Sequence, residues 1–113
     1  MRKVWRKVKM TFSVIYPRDI ERLRKEKGAI LIDMRSRKEY QRGHWEGAIN
    51  YPEEEFEDYT QILSSRRPII LYCQHGGSSM QMARQLGKSG YQVSTVVGGY
   101  EAMKKLKTIE KTY

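Results

Sequence analysis

A chain of 113 residues, 39% of them apolar and with two Trp, eight Tyr and two Phe among them, can fill one modest core and is too apolar to stay disordered. Its lone Cys excludes an internal disulfide, no cluster of Cys and His has zinc-ligand spacing, and no apolar run is long enough to span a membrane, so a soluble cytoplasmic domain is expected. The formal charge of +9 is uneven: residues 1–27 hold ten Lys and Arg against three Asp and Glu, a net of +7, whereas residues 28–113 hold twelve against ten, a net of +2.

Residues 1–10 read as a basic N-terminal extension ahead of a single domain at 11–113. In "MRKVWRKVK", Val4, Trp5 and Val8 stand among five basic residues; one Trp without an arginine-rich motif is too little to expect a nucleic-acid partner, and a solvated tail is the simpler reading. "TFSVIY" is too short for the core of a signal peptide and runs into Pro17 without a small-residue cleavage site. Thr11 to Ile15, β-branched and apolar, predicts a strand. Pro17 then opens a helix whose apolar face is Ile20 and Leu23 and which Gly28 stops. Ala29 to Met34 is a continuous apolar run of the kind buried on both faces of a parallel sheet. Ser36, with Glu39 three residues on, forms a capping box for a short helix that Gly43 ends. "GHWEGAINYP" predicts a loop around a brief strand at Ala48 to Asn50. "EEEFEDYTQILSS", with acids in its first turn and Phe56, Tyr59, Ile62 and Leu63 at helical spacing, predicts a core-facing helix. "PIILYC" is a second buried strand, "SSMQMARQLGKS" a helix ending at Gly90, "QVSTVV" a last strand and "GYEAMKKLK" a last helix. Met80, Met82, Ala83 and Leu86 read as core and helix surface.

Strands alternating with helices imply an α/β three-layer sandwich, a mostly parallel central sheet flanked by helices. Ligands in such folds gather where the chain leaves the carboxyl end of a strand, and Cys73 stands at such a point. If Gln74, His75, Gly76, Gly77, Ser78 and Ser79 wrap as a loop into a helix, their N–H groups converge above the sulfur and favour an anion there: a thiolate, a persulfide or an oxyanion. Gly76 and Gly77 would let the backbone curl close to the sulfur. Ser78 and Ser79 would cap the helix or donate to a bound anion. From spacing alone, Cys73 is as well explained by an inert thiol closing a core strand.

Separate stretches together resemble the rhodanese family. "LIDMRSRKEYQRGHWEGAINYP" is similar to its first signature, through Asp33 and Arg35, Glu39 and Tyr40, Gly43-His44, Gly47-Ala48 and Asn50. "PIILYCQHGGSSMQMARQLGKSGYQVSTVVGGYEAM" is similar to its active-site and C-terminal segments, including Gly90-Tyr91 and Gly98-Gly99. The likeness runs from about Ile15 to Met103. It implies a rhodanese-like domain at 11–113 and a single-domain sulfurtransferase in which Cys73 takes sulfane sulfur from a donor, becomes a persulfide and passes the sulfur to cyanide or a thiol. It implies no metal and no organic cofactor. The expected partners are a small sulfur donor and a thiol or cyanide acceptor, with a protein donor or acceptor as the other source.

One departure is informative. Many active members read Cys, two residues, Gly, one residue, Arg, and that arginine helps bind thiosulfate; Ser78 stands in its place here. A missing charged contact costs about 1.5–3 kcal/mol of oxyanion binding, so a polysulfide, a persulfide or a protein donor is expected to serve better than thiosulfate. Asp33 and Arg35 are candidates for the site mouth, although an Asp ending a strand beside an Arg more often forms a structural pair. His75 is expected to be an exposed loop residue and His44 to pack and hydrogen-bond. Two further functions compete. Phosphatase or arsenate reductase chemistry wants a cationic fork in the loop, and no arginine occurs between Cys73 and Arg84. A binding module in which Cys73 senses redox or persulfide state needs no turnover at all.

Overall fold

The computed structural model describes residues 12–55 and 66–112, with side-chain detail through residue 108. The basic segment 1–10, Thr11 and nearly all of the helix expected after Pro52 lie outside the described residues; residues 53–55 form a short 3₁₀ turn.

Each element has a local cause. Strand β1, Ser13–Ile15, leads through a 3₁₀ turn at Pro17–Asp19 into α1, Ile20–Lys27. Pro17 supplies the fixed φ and gives up no needed donor there. Gly28 ends α1 at φ 65° and ψ 31°, a left-handed cap in which its N–H bonds the carbonyl of Arg24. Strand β2, Ile30–Asp33, follows. Helix α2, Arg37–Arg42, opens on the expected capping box: Ser36 Oγ accepts from the Glu39 N–H, and the Glu39 carboxylate accepts from the Ser36 N–H. The rest comprises β3, Ile49–Asn50, β4, Ile69–Tyr72, α3, Gly77–Lys88, β5, Val93–Val96, and α4, Gly99–Thr112.

The five strands pair in the order β1-β5-β4-β2-β3, and every pair is parallel. Side chains on β4 alternate between two cores, as the two-residue period of a strand requires. Ile69, Leu71 and Cys73 join Ile32, Met34, Ala83, Leu86, Tyr91 and Val93 on the face covered by α3. Ile70 and Tyr72 join Ile20, Leu31, Trp45, Val96 and Met103 on the face covered by α1 and α4. This is the expected three-layer sandwich. Among the described residues no helix is long and apolar enough to cross a membrane.

The strand order sets the site. From β2 the chain moves outward to β3 and then returns to lay β4 on the other side of β2, so the loops after β2 and β4 diverge from one another. A crevice at the carboxyl ends of the strands opens at such a reversal.

Candidate functional site

Cys73 is the first residue past β4, 8% exposed and free. The chain turns at Gly76, whose φ of 108° suits glycine, and α3 starts at Gly77. That turn brings the Gly76 N–H to 3.0 Å and the Ser79 N–H, in the first turn of α3, to 3.4 Å from Cys73 Sγ. Both donors are fixed in the backbone, so negative charge on sulfur meets dipoles already oriented toward it.

Beneath the sulfur lies a hydroxyl pair. The Cys73 thiol donates to Ser79 Oγ at 3.4 Å, and Ser79 Oγ lies 2.7 Å from Thr95 Oγ1 on β5, with both residues buried. The first turn of α4 carries the loop from behind. The Tyr100 N–H donates to the Cys73 carbonyl at 2.8 Å, the Glu101 N–H to the Gln74 carbonyl at 3.2 Å, and the Gln74 side-chain amide to the Glu101 carboxylate. Gly99, at φ 60°, packs against this backbone so closely that a side chain would collide with it.

Asp33 and Arg35 make the adjoining wall. Their side chains are almost wholly buried, and Arg35 Nη2 stands 2.7 Å from Asp33 Oδ2. Arg35 Nε also donates to Asp33, Nη2 to the Gly43 carbonyl at 2.6 Å, and Nη1 reaches Gln74 Oε1 at 3.5 Å. The guanidinium lies 3.8 Å from the centre of the Tyr100 ring. Burial works against its charge, but the hydrogen bonds and charge of Asp33 outweigh that and hold the Arg35 pKa above its ordinary value. The Tyr72 hydroxyl donates to Asp33 Oδ2 at 2.6 Å and accepts from the Trp45 N–H at 3.2 Å. Burial, followed by the bond to Asp33, pushes the Tyr72 pKa far above that of a free phenol.

Above the sulfur is a cavity of about 440 Å³. Arg35, Gln74, His75, Gly77 and Ser78 line it together with Cys73, and Glu39, Glu53 and Glu54 complete the wall. Several of the expected site residues therefore meet in one place. Gly76, Ser79 and Asp33 do not line the cavity: Gly76 turns its N–H to the sulfur, Ser79 takes the hydrogen bond of the thiol, and Asp33 is spent on Arg35 and Tyr72. His75 is exposed on the rim, and His44 stacks on Tyr40 with Nδ1 2.8 Å from the Tyr40 carbonyl oxygen, as expected of both.

Three expectations need correction. Neither Ser78 nor Ser79 caps α3; Gly76 is the N-cap, no side chain accepts there, and both serines already belong to the first turn. Gly77 does not need to be glycine for backbone closeness, since a Cβ built on it meets nothing within 4 Å. Among the described residues, the loop N–H groups that reach Sγ are those of Gly76 and Ser79, a smaller cradle than six converging donors. Sequence reasoning also missed Thr95, the polar role of Tyr72 and the acidic wall, and it named Gly99 only through the resemblance. A buried Thr in "QVSTVV" and the paired Glu after Pro52 carry no local mark of what they face.

Comparison with known proteins fits this geometry. The model of the rhodanese-like domain matches residues 16–106, and the chain belongs to that family. The thiosulfate sulfurtransferase GlpE of Haemophilus influenzae is 31% identical over 93 residues, covering 81% of this chain and 88% of that one. GlpE of Pseudomonas putida is 32% identical over 91 residues, covering 80% and 83%. Among solved structures, a rhodanese-related protein from Thermoplasma volcanium is 25% identical with a TM-score of 0.74, covering 89% of this chain and 94% of that one. The reduced CoADR-RHD of Bacillus anthracis is 29% identical with a TM-score of 0.78; the match covers 88% of this chain but 18% of that one.

Proposed function

We propose that this protein is a sulfurtransferase that carries sulfane sulfur on Cys73 as a persulfide, and that thiosulfate is a poor donor for it. The observation that carries the reading is the placement of Cys73 Sγ at the floor of a cavity with the Gly76 and Ser79 N–H groups directed at it. With a persulfide donor R–S–SH, the Cys73 thiolate attacks the outer sulfur. The donor's S–S bond breaks, its electron pair leaves as R–S⁻, and Cys73–S–SH remains. In the second half an acceptor thiolate or cyanide attacks that outer sulfur and Cys73 leaves as thiolate. The two N–H groups hold the sulfur that alternates between nucleophile and leaving group, and no step calls for a metal or an organic cofactor.

Ser78 governs the choice of donor. Thiosulfate must be held by its sulfonate oxyanions, and Ser78 supplies no cationic fork on the cavity wall. A polysulfide, a small persulfide or a persulfide on a protein transfers a sulfur without that demand.

The test is intact-protein mass spectrometry of wild type, Cys73→Ser and Ser78→Arg after exposure to thiosulfate or polysulfide, followed by cyanide and a thiocyanate assay. Wild type should gain one sulfur from polysulfide and release it to cyanide repeatedly, and Cys73→Ser should do neither. Ser78→Arg should raise thiosulfate turnover about ten- to hundredfold, the equivalent of one charged hydrogen bond. Wild-type thiosulfate turnover as high as that of Ser78→Arg would sink the donor preference. Sulfur gained and never passed on would replace the enzyme with a sensor.

A further inference from the structure

The charges around the Cys73 cavity narrow the carrier of the sulfur, and this step rests on the transfer reading above. The acidic and basic side chains among the described residues that line the cavity are Glu39, Glu53, Glu54 and Arg35, with the His75 imidazole on its rim. Arg35 has no charge to spare. Its guanidinium is matched by Asp33 at 2.7 Å, its donors go to Asp33, the Gly43 carbonyl and Gln74 Oε1, and its face is covered by Tyr100. Nearby Arg37 is likewise engaged, 2.6 Å from Glu55. The Ser36 hydrogen bonds, with Arg35 and Arg42 close by, hold the Glu39 carboxyl below its ordinary range, which leaves the exposed Glu53 and Glu54 to set the potential. Glu39 is held in place by the Ser36 N–H and hydroxyl. Glu53 and Glu54 are exposed in the turn at 53–55, which is anchored where the Glu53 N–H donates to the Met34 carbonyl at 3.0 Å, directly after β2. The wall is therefore fixed to the sheet beside the nucleophile.

We infer that the cavity selects a small sulfur carrier bearing a cationic amine, an aminothiol persulfide, over one bearing a carboxylate or sulfonate. The wall attracts an ammonium group a few ångströms behind the donor sulfur, while an anionic tail at the same place meets the like charges of Glu53 and Glu54. The volume fits such a carrier, being within the range of small-molecule sites. The reaction is unchanged: Cys73–S⁻ and ⁺H₃N–R–S–SH give Cys73–S–SH and ⁺H₃N–R–S⁻, with one S–S bond formed and one broken.

The experiment compares loading of Cys73 by cysteamine persulfide and by mercaptoacetate persulfide, each in excess, with the second-order rates read by mass spectrometry. The two leaving thiols differ in intrinsic reactivity, so the quantity of interest is the cationic-to-anionic rate ratio in wild type divided by that in Glu53→Gln/Glu54→Gln. That quotient should be about tenfold. A second measurement needs no variant: the wild-type ratio should fall as salt rises from about 0.01 M to about 1 M, because the potential of a solvent-open wall is screened. A quotient of one, or a ratio insensitive to salt, overturns the selection and leaves sulfur transfer standing. Failure of both carriers to load Cys73 overturns the two readings together.

Discussion

Tyr72 ties together two of the groups that fix Arg35, bonding Asp33 through its hydroxyl and stacking on Tyr100 with its ring. It is fully buried at the end of β4, and its hydroxyl links the Asp33 carboxylate to the Trp45 N–H. Tyr72→Phe keeps the ring, leaves the Trp45 N–H without this acceptor and takes one donor from Asp33, which Arg35 still holds; near neutral pH this should cost about 1–3 kcal/mol. Its pH dependence follows from the raised pKa. In the unfolded chain Tyr72 ionises near its ordinary value of 10, while in the fold it keeps its proton well above that. Above about pH 10 the folded state therefore holds one proton more, so stability from this group is full below that pH and falls as pH rises, by up to about 1.4 kcal/mol per unit. Urea midpoints at pH 8 and pH 11 should thus show the gap between wild type and Tyr72→Phe narrowing at the higher pH. A gap that is constant or wider would contradict the assignment. The sequence shows Tyr72 as one more large residue in an apolar run. Its polar role depends on Asp33, 39 positions away in the chain, and no local pattern reports a contact of that separation.

At the scale of elements, the cysteine loop is held by the helix that comes last in the chain. Gly99 opens α4 with φ 60°, and a methyl there would overlap the Cys73 carbonyl oxygen and stand 2.8 Å from the carbonyl carbon of Gln74. Both obstacles are backbone, so neither can swing aside as a side chain would. Gly99→Ala should therefore push the Cys73 loop off its place, lengthen the bonds from Tyr100 and Glu101, and slow sulfur loading about ten- to hundredfold, the usual penalty for misplacing a reacting group by about 1 Å. Gly28→Ala is the matched control. It has the same sign of φ, 65°, at the end of α1, but its Cβ meets nothing within 4 Å, so it should cost stability comparably in backbone strain and leave loading rates alone. Loading by Gly99→Ala at the wild-type rate would remove α4 from the account of the site. The contrast explains what was legible. The capping box at Ser36 and Glu39, the Pro17 entry and the Gly28 stop are written within a few residues of where they act. The Gly98-Gly99 pair is visible only as a resemblance, because its cause is a loop 26 residues earlier in the chain.

For the whole molecule, the alternation of short apolar runs with helical segments is enough to derive a parallel sheet with helices on both faces, since the central runs at β2 and β4 are too apolar to leave a face in water. The order β1-β5-β4-β2-β3 is a different kind of information. It depends on which strand edges meet, and Ile69 to Tyr72 would pair as well by composition in several other places. That order nonetheless puts Cys73 beside Arg35, because the reversal between β2 and β4 parts their following loops. The sheet also divides the apolar interior, with Ile32 in the core under α3 and Ile20 in the core under α1 and α4. If the sheet is a true partition, each of Ile32→Val and Ile20→Val should cost about 0.5–1.5 kcal/mol, a loss small enough to leave the double variant folded. The two losses should add to within about 0.5 kcal/mol, since the residues share no packing partners. Denaturant unfolding of the two single variants and the double closes the cycle. A coupling well above that limit would mean that strain crosses the sheet, and that the face carrying Tyr72 and the face carrying Cys73 respond as one body.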